Sequence, residues 1–187
     1  MNVFAINENP ELAAQEQCDK HIPKMTVESG QMLSTAHRLL DGTMELRPSK
    51  SGKTKVKYYR HPNDNMEIVL YKNVHGAHPC TIWSMQTSEN YKWHYNHFVA
   101  LCDEYTFRFG KIHKTDLQLR YPLSVLPKNI PEGPLTPFPL AMKSNPECMF
   151  EEDPIKSYKL FYQTKQSRFK MAWERGREKP DWFQYVA

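Results

Sequence analysis

The chain lacks the features that mark membrane and secreted proteins. No apolar run approaches 18 residues, so we expect no membrane-spanning helix. The first residues, MNVFAINENPEL, have neither the basic start nor the long apolar core of a signal peptide. Only four cysteines occur, at positions 18, 80, 102 and 148, and none belongs to a CxxC pair. These absences argue against a disulfide scaffold or a four-cysteine zinc site, and they predict a cytoplasmic protein.

Glycine is also scarce, with seven residues against fourteen prolines. The segment PSKSGKTKV contains GKT and therefore invites comparison with a phosphate-binding loop. That motif needs a second glycine five residues before Gly52, and the position is occupied by Arg47. We therefore interpret the segment as a flexible basic loop and not as a nucleotide-binding one.

The eight histidines include no HExxH or ExxH motif. His94 and His97 lie three residues apart with Glu104 two turns beyond, and His21 lies seven residues before Glu28. Helical sets of this kind can hold a metal ion. A polar face beside a helical core explains the same residues, and we expect no metal site.

The chain is long enough for one domain with a substantial core, since it has 187 residues of which 40% are hydrophobic. Capping residues and apolar periodicity predict a mainly α-helical fold with few or no short strands. A proline-rich loop should cover residues 121–153, because recurrent proline excludes regular helix and central strand. Helices are predicted over residues 10–17, 23–40, 89–109, from about 115, and 154–173, with extended segments at 55–59 and 66–74.

The net charge is +4, which is only a mild preference for polyanions. The basic residues are grouped in three runs, at residues 50–60, 108–114 and 165–179. Each run taken alone is typical of solvated surface. A nucleic-acid partner therefore needs support from specific motifs.

The segment CDKHIPKMTVESGQMLSTAHR (residues 18–38) has polar residues at nearly helical spacing. Met25, Met32, Ala36 and Leu39 fall on one side of the predicted helix and should face the core. Glu28 lies on the flank of that side. It is either an acid/base or electrostatic group, or an ordinary surface carboxylate paired with Lys24 at i, i+4.

The order of motifs along the whole chain resembles the bacteriophage pyrimidine-dimer DNA glycosylases, the endonuclease V family. Asp19-Lys20-His21 followed by Glu28 matches the Asp-x-His and catalytic Glu of that family's first long helix. GAHPCTIW (76–83) and CDEYTFRFGK (102–111) resemble its histidine-containing turn and the end of its second helix. KPDWFQY (179–185) resembles its C-terminal aromatic segment, which lies near the DNA.

This resemblance implies a compact helical domain and a glycosylase with associated abasic-site (AP) lyase activity at damaged or modified pyrimidines. The family attacks the sugar C1′ with its N-terminal amine and forms a Schiff base, and an α-amine with a typical pKa of about 7.7–8.0 suits that role. Asn2 is too large for ready removal of Met1, so the amine belongs to Met1, or to Asn2 after processing. Glu28 stabilises the developing positive sugar and assists proton transfer, and His21 completes the catalytic set.

The same resemblance implies double-stranded DNA as partner, a monomer, a phage-encoded protein in the host cytoplasm, and no cofactor. Aromatic residues near the C-terminus would support a flipped or distorted nucleotide. Two arginines beside the family's Glu correspond here to Val27 and Gln31. The residues expected to contact DNA are Lys24, Gln31, His78, Asn90, His94, Arg108, Lys111, His113, Lys114, Trp182 and Phe183.

Two other functions remain open. One is a different enzyme on the same scaffold that modifies DNA bases or nucleotides, supported by Asn90, Tyr91, His94 and His97 together with the proline-rich loop. The other is a protein that binds DNA or a partner without catalysis. In that case Glu28 would be dispensable, while charge reversal at Lys111 or Lys114 would abolish binding.

Overall fold

The computed structural model describes residues 1–186 and is mainly α-helical, which confirms the predicted class. None of the helices in these residues combines the length and the apolar character needed to cross a membrane. The elements are α1 Pro10–Gln15, α2 His21–Asp41, β1 Thr43–Pro48, β2 Lys55–Arg60, α3 Asp64–Val69, α4 Pro79–Gln86, α5 Ser88–Phe109, α6 Lys114–Leu123 and α7 Pro154–Gln163, with 3-10 turns at Pro146–Cys148 and Thr164–Ser167.

The long helices α2 and α5 pack against each other at the centre of the fold. Met25, Met32 and Ala36 of α2 are fully buried, as the helical periodicity predicts, while Leu39 is only half-buried. The Thr87 side chain caps the start of α5 by accepting from the backbone N–H of Asn90. Gly110, with φ of 66°, ends that helix in the left-handed conformation that glycine adopts at low cost.

The predictions for residues 66–69 and for the end of the last helix differ from the structure. Residues 66–69, predicted as extended, belong to α3, because Asn63 caps the backbone amides of Asn65 and Met66. The last helix, predicted to reach Trp173, ends at Gln163 and continues as a 3-10 turn. The chain then runs irregularly and buries Met171 and Trp173, while Ala172 accepts a backbone bond from Asp19.

The GKT segment lies at the tip of the β1–β2 hairpin. Ser49 donates its backbone N–H to the carbonyl of Thr54 at 2.7 Å, and Gly52 takes a φ of 73° between them. The strands pair in antiparallel register from Thr43 opposite Arg60 to Pro48 opposite Lys55. A phosphate-binding loop requires a helix directly after GKT, and here a strand follows, so the hairpin tip is not such a loop.

The proline-rich segment occupies residues 124–153, slightly shorter than predicted. Helix α6 extends to Leu123 and includes Pro122 in its last turn. Within the described residues the segment contains one regular element, the 3-10 turn at Pro146–Cys148. It is nevertheless fixed to the core: Phe138 is buried against Trp83 and Trp93.

The guanidinium of Arg38 ties the hairpin and α3 to the centre of the fold. Arg38 is buried and donates to the carbonyls of Tyr59, Glu67, Leu70 and Tyr71 and to the Glu67 carboxylate at 2.6 Å. Desolvation alone would raise the pKa of Glu67. Hydrogen bonds from Tyr58, from the His61 backbone and from Arg38 outweigh it and lower that pKa to about 2.

From the ion pair of Arg38 and Glu67 we expect a loss of stability in acid. The folded-state pKa of Glu67 lies below its unfolded value, so its contribution is present above about pH 4.3 and is lost as the pH falls toward about 2. Thermal unfolding of the wild type and of Glu67→Gln should therefore differ most near pH 7, and the difference should shrink between pH 5 and pH 2.5. A difference that stays constant across this window would contradict the assignment.

Candidate functional site

A pocket of about 340 Å³ lies where the N-terminal segment meets the first half of α2 and the end of α7. It is bounded on a third side by the proline-rich segment, which contributes Ala141. The lining residues are Met1, Asn2, Phe4, His21, Lys24, Glu28, Ala141, Phe161, Lys165, Arg168 and Phe169. The pocket therefore collects all four residues predicted as catalytic, together with Lys24.

Asn2 folds the N-terminal segment into this pocket. Its side-chain oxygen accepts from the backbone N–H of Phe4 at 2.9 Å, and its amide donates to the carbonyl of Ala141 at 3.1 Å. Its own backbone N–H donates to Glu28 at 3.2 Å. Phe4 takes a φ of 46°, an uncommon conformation for a residue with a side chain, and stacks on His21. These contacts fix the start of the chain beside Glu28.

The N-terminal amine and two side chains form a small charge cluster. The amine nitrogen of Met1 lies 3.7 Å from Glu28 Oε2, and Lys24 Nζ lies 3.5 Å from Glu28 Oε1. The Glu28 side chain is only 15% exposed, whereas Lys24 is 61% exposed. A partly desolvated carboxylate next to an amine is in place to accept that amine's proton or to stabilise a positive charge.

Two further cations face the same pocket from the far side. Lys165 and Arg168 both line it, and Lys165 is buried with its amine 3.4 Å from the Phe161 ring centre. Burial, together with the nearby charges of Arg168 and Lys24, lowers the pKa of Lys165 to about 8. The lining thus carries three basic side chains and the amine against one carboxylate, a balance that favours an anionic ligand such as a phosphate.

His21 is a neutral wall of the pocket. Burial, assisted by Lys24 and Lys165, lowers its pKa to about 3, so the ring carries no charge near neutrality. Its Nδ1 lies 2.8 Å from the hydroxyl of Tyr162, which also accepts the backbone N–H of Cys18 at 2.9 Å. These contacts give His21 a positioning role, because a neutral ring does not attract phosphate by charge.

His78 lies beside the charge cluster on the α4 side. Its side chain caps α4 by accepting from the backbone N–H of Cys80 at 3.2 Å. Burial and then the positive N-terminal amine lower the pKa of His78. His78 is not among the residues that line the pocket.

Three residues predicted to contact DNA lie inside the core instead. Asn90 binds the proline-rich segment. Its side-chain amide donates to the hydroxyl of Thr136, and its side-chain oxygen accepts from the backbone N–H of Thr136. His94 is fully buried between Ser84 and Ser29. Arg108 is buried with partners that include Glu104 and Asp19. The polar atoms of these three residues form hydrogen bonds inside the protein, so we do not expect them to contact DNA directly.

The remaining predicted contacts are divided between surface and interior. Lys111 and Lys114 are exposed near the turn between α5 and α6, and His113 between them caps α6. Gln31 is half-buried on α2 and is not among the residues that line the pocket.

The aromatic tail packs against the body of the protein. Trp182 is half-buried and donates its indole N–H to Glu16 at 2.7 Å. Phe183 is fully buried and lies edge-on to Trp173. Trp182 also meets Tyr162, the partner of His21, so the tail supports the pocket wall from behind.

The helical histidine and glutamate sets considered for metal binding have other partners. His97 contacts the carbonyl of Pro10 at 2.9 Å, and Glu104 pairs with Arg108 and Arg177. Burial lowers the pKa of His97 to about 4 and that of His94 to about 3, so both rings are neutral. These residues stabilise the packing of α5 and do not converge on one point.

The sequence reasoning missed part of the pocket lining. Phe4, Lys165, Arg168 and Phe169 were not predicted as site residues, although the basic run at residues 165–179 was noted. The basic run could have indicated these residues, because its first two cations, Lys165 and Arg168, line the pocket together with Glu28. Only the fold shows which of its members point inward.

Comparison with known proteins adds no relative to this picture: no protein-family model, curated protein or solved structure matches the chain. The resemblance to the pyrimidine-dimer glycosylases therefore stays a prediction.

Proposed function

We propose that this protein is a DNA glycosylase with associated AP-lyase activity, acting on damaged or modified pyrimidines in double-stranded DNA. The observation that carries the proposal is the convergence of the N-terminal amine, Glu28 and three basic side chains in one pocket. The proposal includes a single endonuclease V-like domain closed by the proline-rich segment, acting as a monomer. It also places the protein in the cytoplasm of a host cell.

The geometry supports the following chemistry. The lone pair of the Met1 amine attacks C1′ of the deoxyribose while the bond from C1′ to the base breaks and the base leaves with the electron pair. Glu28, 3.7 Å from the amine, stabilises the developing positive charge and accepts a proton from the attacking nitrogen. Opening of the sugar ring then gives the imine, from which loss of a C2′ proton expels the 3′ phosphate.

The cations of the pocket supply the binding part of the proposal. Lys24, Lys165 and Arg168 surround the space beside the amine, where a backbone phosphate of the flipped nucleotide would lie. The apolar surfaces of Phe161 and Phe169 complete the lining. A pocket of about 340 Å³ is of the size that holds one nucleotide and not a longer segment of duplex.

The test is borohydride trapping on duplex DNA with a single abasic site, followed by peptide mass spectrometry. The expected result is a covalent adduct at the N-terminal amine. Three amines line the pocket, those of Met1, Lys24 and Lys165. The matched variants are therefore a protein acetylated at its N-terminus, Lys24→Arg and Lys165→Arg; arginine keeps the charge but has no nucleophilic amine. Acetylation should abolish trapping, and both arginine variants should retain the N-terminal adduct.

An adduct at Lys24 or Lys165 would contradict the role of the N-terminal amine. No adduct at any of the three amines, in a protein that still binds the duplex, would overturn the lyase chemistry. It would favour an enzyme that modifies a base or nucleotide in the same pocket, since the cation-rich lining suits a nucleotide phosphate equally well. Activity of the N-terminally acetylated protein would identify that alternative.

A further inference from the structure

A second cluster of reactive side chains lies at the other end of α2. His37 and Asp41 belong to the last turns of that helix, and His61 follows β2 directly. One potential ligand atom from each of the three lies within 4.8 Å of the others. His37 is nine residues after Glu28, or about 14 Å along the helix, so this cluster is separate from the pocket of the N-terminal amine.

His61 has a buried nitrogen with nothing to bond to. The residue is 6% exposed, and its Nε2 has no hydrogen-bond partner in the part of the chain that the structure describes. The nearest carboxylate oxygen, Asp41 Oδ2, is 3.8 Å away, too far for a hydrogen bond. A buried polar atom without a partner destabilises the fold, and a ligand at this position would satisfy it.

Asp41 has a buried carboxylate that, within the described part of the chain, lacks a cation close enough to neutralise its charge. Its side chain is only 7% exposed, and His61 is its sole ion-pair neighbour among residues 1–186. Its oxygens accept the backbone N–H groups of Lys128 and Asn129 at 2.8 and 2.9 Å, which hold it in place without neutralising it. Each carboxylate oxygen keeps a second lone pair for another partner. A desolvated carboxylate with spare lone pairs favours a cation.

Among residues 1–186, Nε2 is the ring nitrogen of His37 that forms a hydrogen bond, and the Val125 backbone also approaches the ring. Tyr91 donates its hydroxyl proton to the carbonyl of Leu123 at 3.0 Å, so in its 2.8 Å contact with His37 Nε2 the ring nitrogen is the donor. The lone pair of His37 is then on Nδ1. A metal-binding histidine characteristically donates its other N–H in this way. In His61, Nδ1 lies 3.4 Å from the Asn63 carbonyl and 3.2 Å from the Asn63 N–H, and the carbonyl can accept its proton when Nε2 binds.

We propose that His37, Asp41 and His61 bind a divalent transition-metal ion, with Zn²⁺ as the best match to two imidazoles and one carboxylate. Zinc bonds of about 2.1 Å in a tetrahedral arrangement place ligand atoms about 3.4 Å apart. The candidate ligand atoms lie within 4.8 Å of one another, so binding requires their separations to shorten by about 1 Å. The cluster lines a cavity of about 460 Å³, which leaves the fourth position to water. The ion links α2 to the residue that follows the hairpin, and Asp41 also holds the proline-rich segment through the backbone N–H groups of Lys128 and Asn129.

The experiment uses the full chain after chelator treatment, titrated with ZnCl₂ by calorimetry and analysed for bound metal after dialysis. We expect one zinc per chain and a higher thermal midpoint. Loss of a supporting partner alone costs about 10–100-fold in affinity, so His61→Gln and His37→Gln should each weaken binding by at least about a hundredfold. The control is His75→Asn, which removes an exposed imidazole and suits the φ of 50° at that position.

Two outcomes would overturn the proposal: a folded wild type that takes up no stoichiometric zinc, and His61→Gln binding zinc as tightly as wild type. If both glutamine variants unfold, the wild type still decides the question through ¹H–¹⁵N spectra of its histidine rings. Zinc should shift the ring nitrogens of His37 and His61 together at one equivalent. Shifts confined to other histidines would refute the site.

Discussion

Replacement of Glu28 by glutamine should lower the rate of strand cleavage at an abasic site by about 10²–10⁴-fold, the usual contribution of a positioned acid/base group. Glutamine keeps the size of the side chain and can still accept the backbone N–H of Asn2. It cannot take up a proton from the Met1 amine or balance a positive sugar. The measurement is single-turnover cleavage together with borohydride trapping, at equal occupancy of the DNA.

The matched control is Glu132→Gln, the same substitution at an exposed carboxylate outside the pocket. Its rate should equal that of the wild type. Binding of the duplex should change little in Glu28→Gln, since the substitution removes a negative charge and leaves Lys24, Lys165 and Arg168 in place. A Glu28→Gln rate within about threefold of the wild type would contradict the catalytic role, because the expected loss is at least about a hundredfold.

The largest expected effect on stability belongs to Arg38. Arg38→Met keeps the apolar stem but removes every hydrogen bond to the hairpin and α3, leaving four backbone carbonyls and the Glu67 carboxylate short of a donor. Breaking one side of a buried ion pair costs about 3–5 kcal/mol, and we expect a loss of that size in the free energy of unfolding. Urea denaturation monitored by circular dichroism measures it.

Arg60→Met is the control, because Arg60 forms a surface pair with Asp64 at 3.3 Å in which both partners are largely exposed. Such pairs contribute about 0–1 kcal/mol. The double variant Arg38→Met/Glu67→Gln should lose less free energy of unfolding than the sum of the losses in the two single variants. The reason is that Arg38→Met alone already breaks the ion pair between Arg38 and Glu67. Equal losses for Arg38→Met and Arg60→Met would show that the buried network does not hold the hairpin.

Local sequence was sufficient for the starts of two helices and for the inward face of α2. Asn9 and Asp153 cap helices that begin with proline, and both helices start where these residues predict. Met25, Met32 and Ala36 are buried because residues three and four apart share one face of a helix. The same local rules failed over residues 66–69, where the cap at Asn63 outweighed a short pattern typical of an extended segment.

The sequence by itself determined the helical class, the core of α2, and the spacing that places Lys24 beside Glu28. Only the tertiary structure decided which other groups lie beside Lys24 and Glu28. The Met1 amine reaches Glu28 through the Asn2 contacts, and Lys165 arrives from more than 130 residues away. In the same way, His37 and Asp41 share a helix face, but His61 joins them only because the hairpin folds back. Helical periodicity acts over a few residues, whereas a site is assembled by packing between distant segments, which no local pattern specifies.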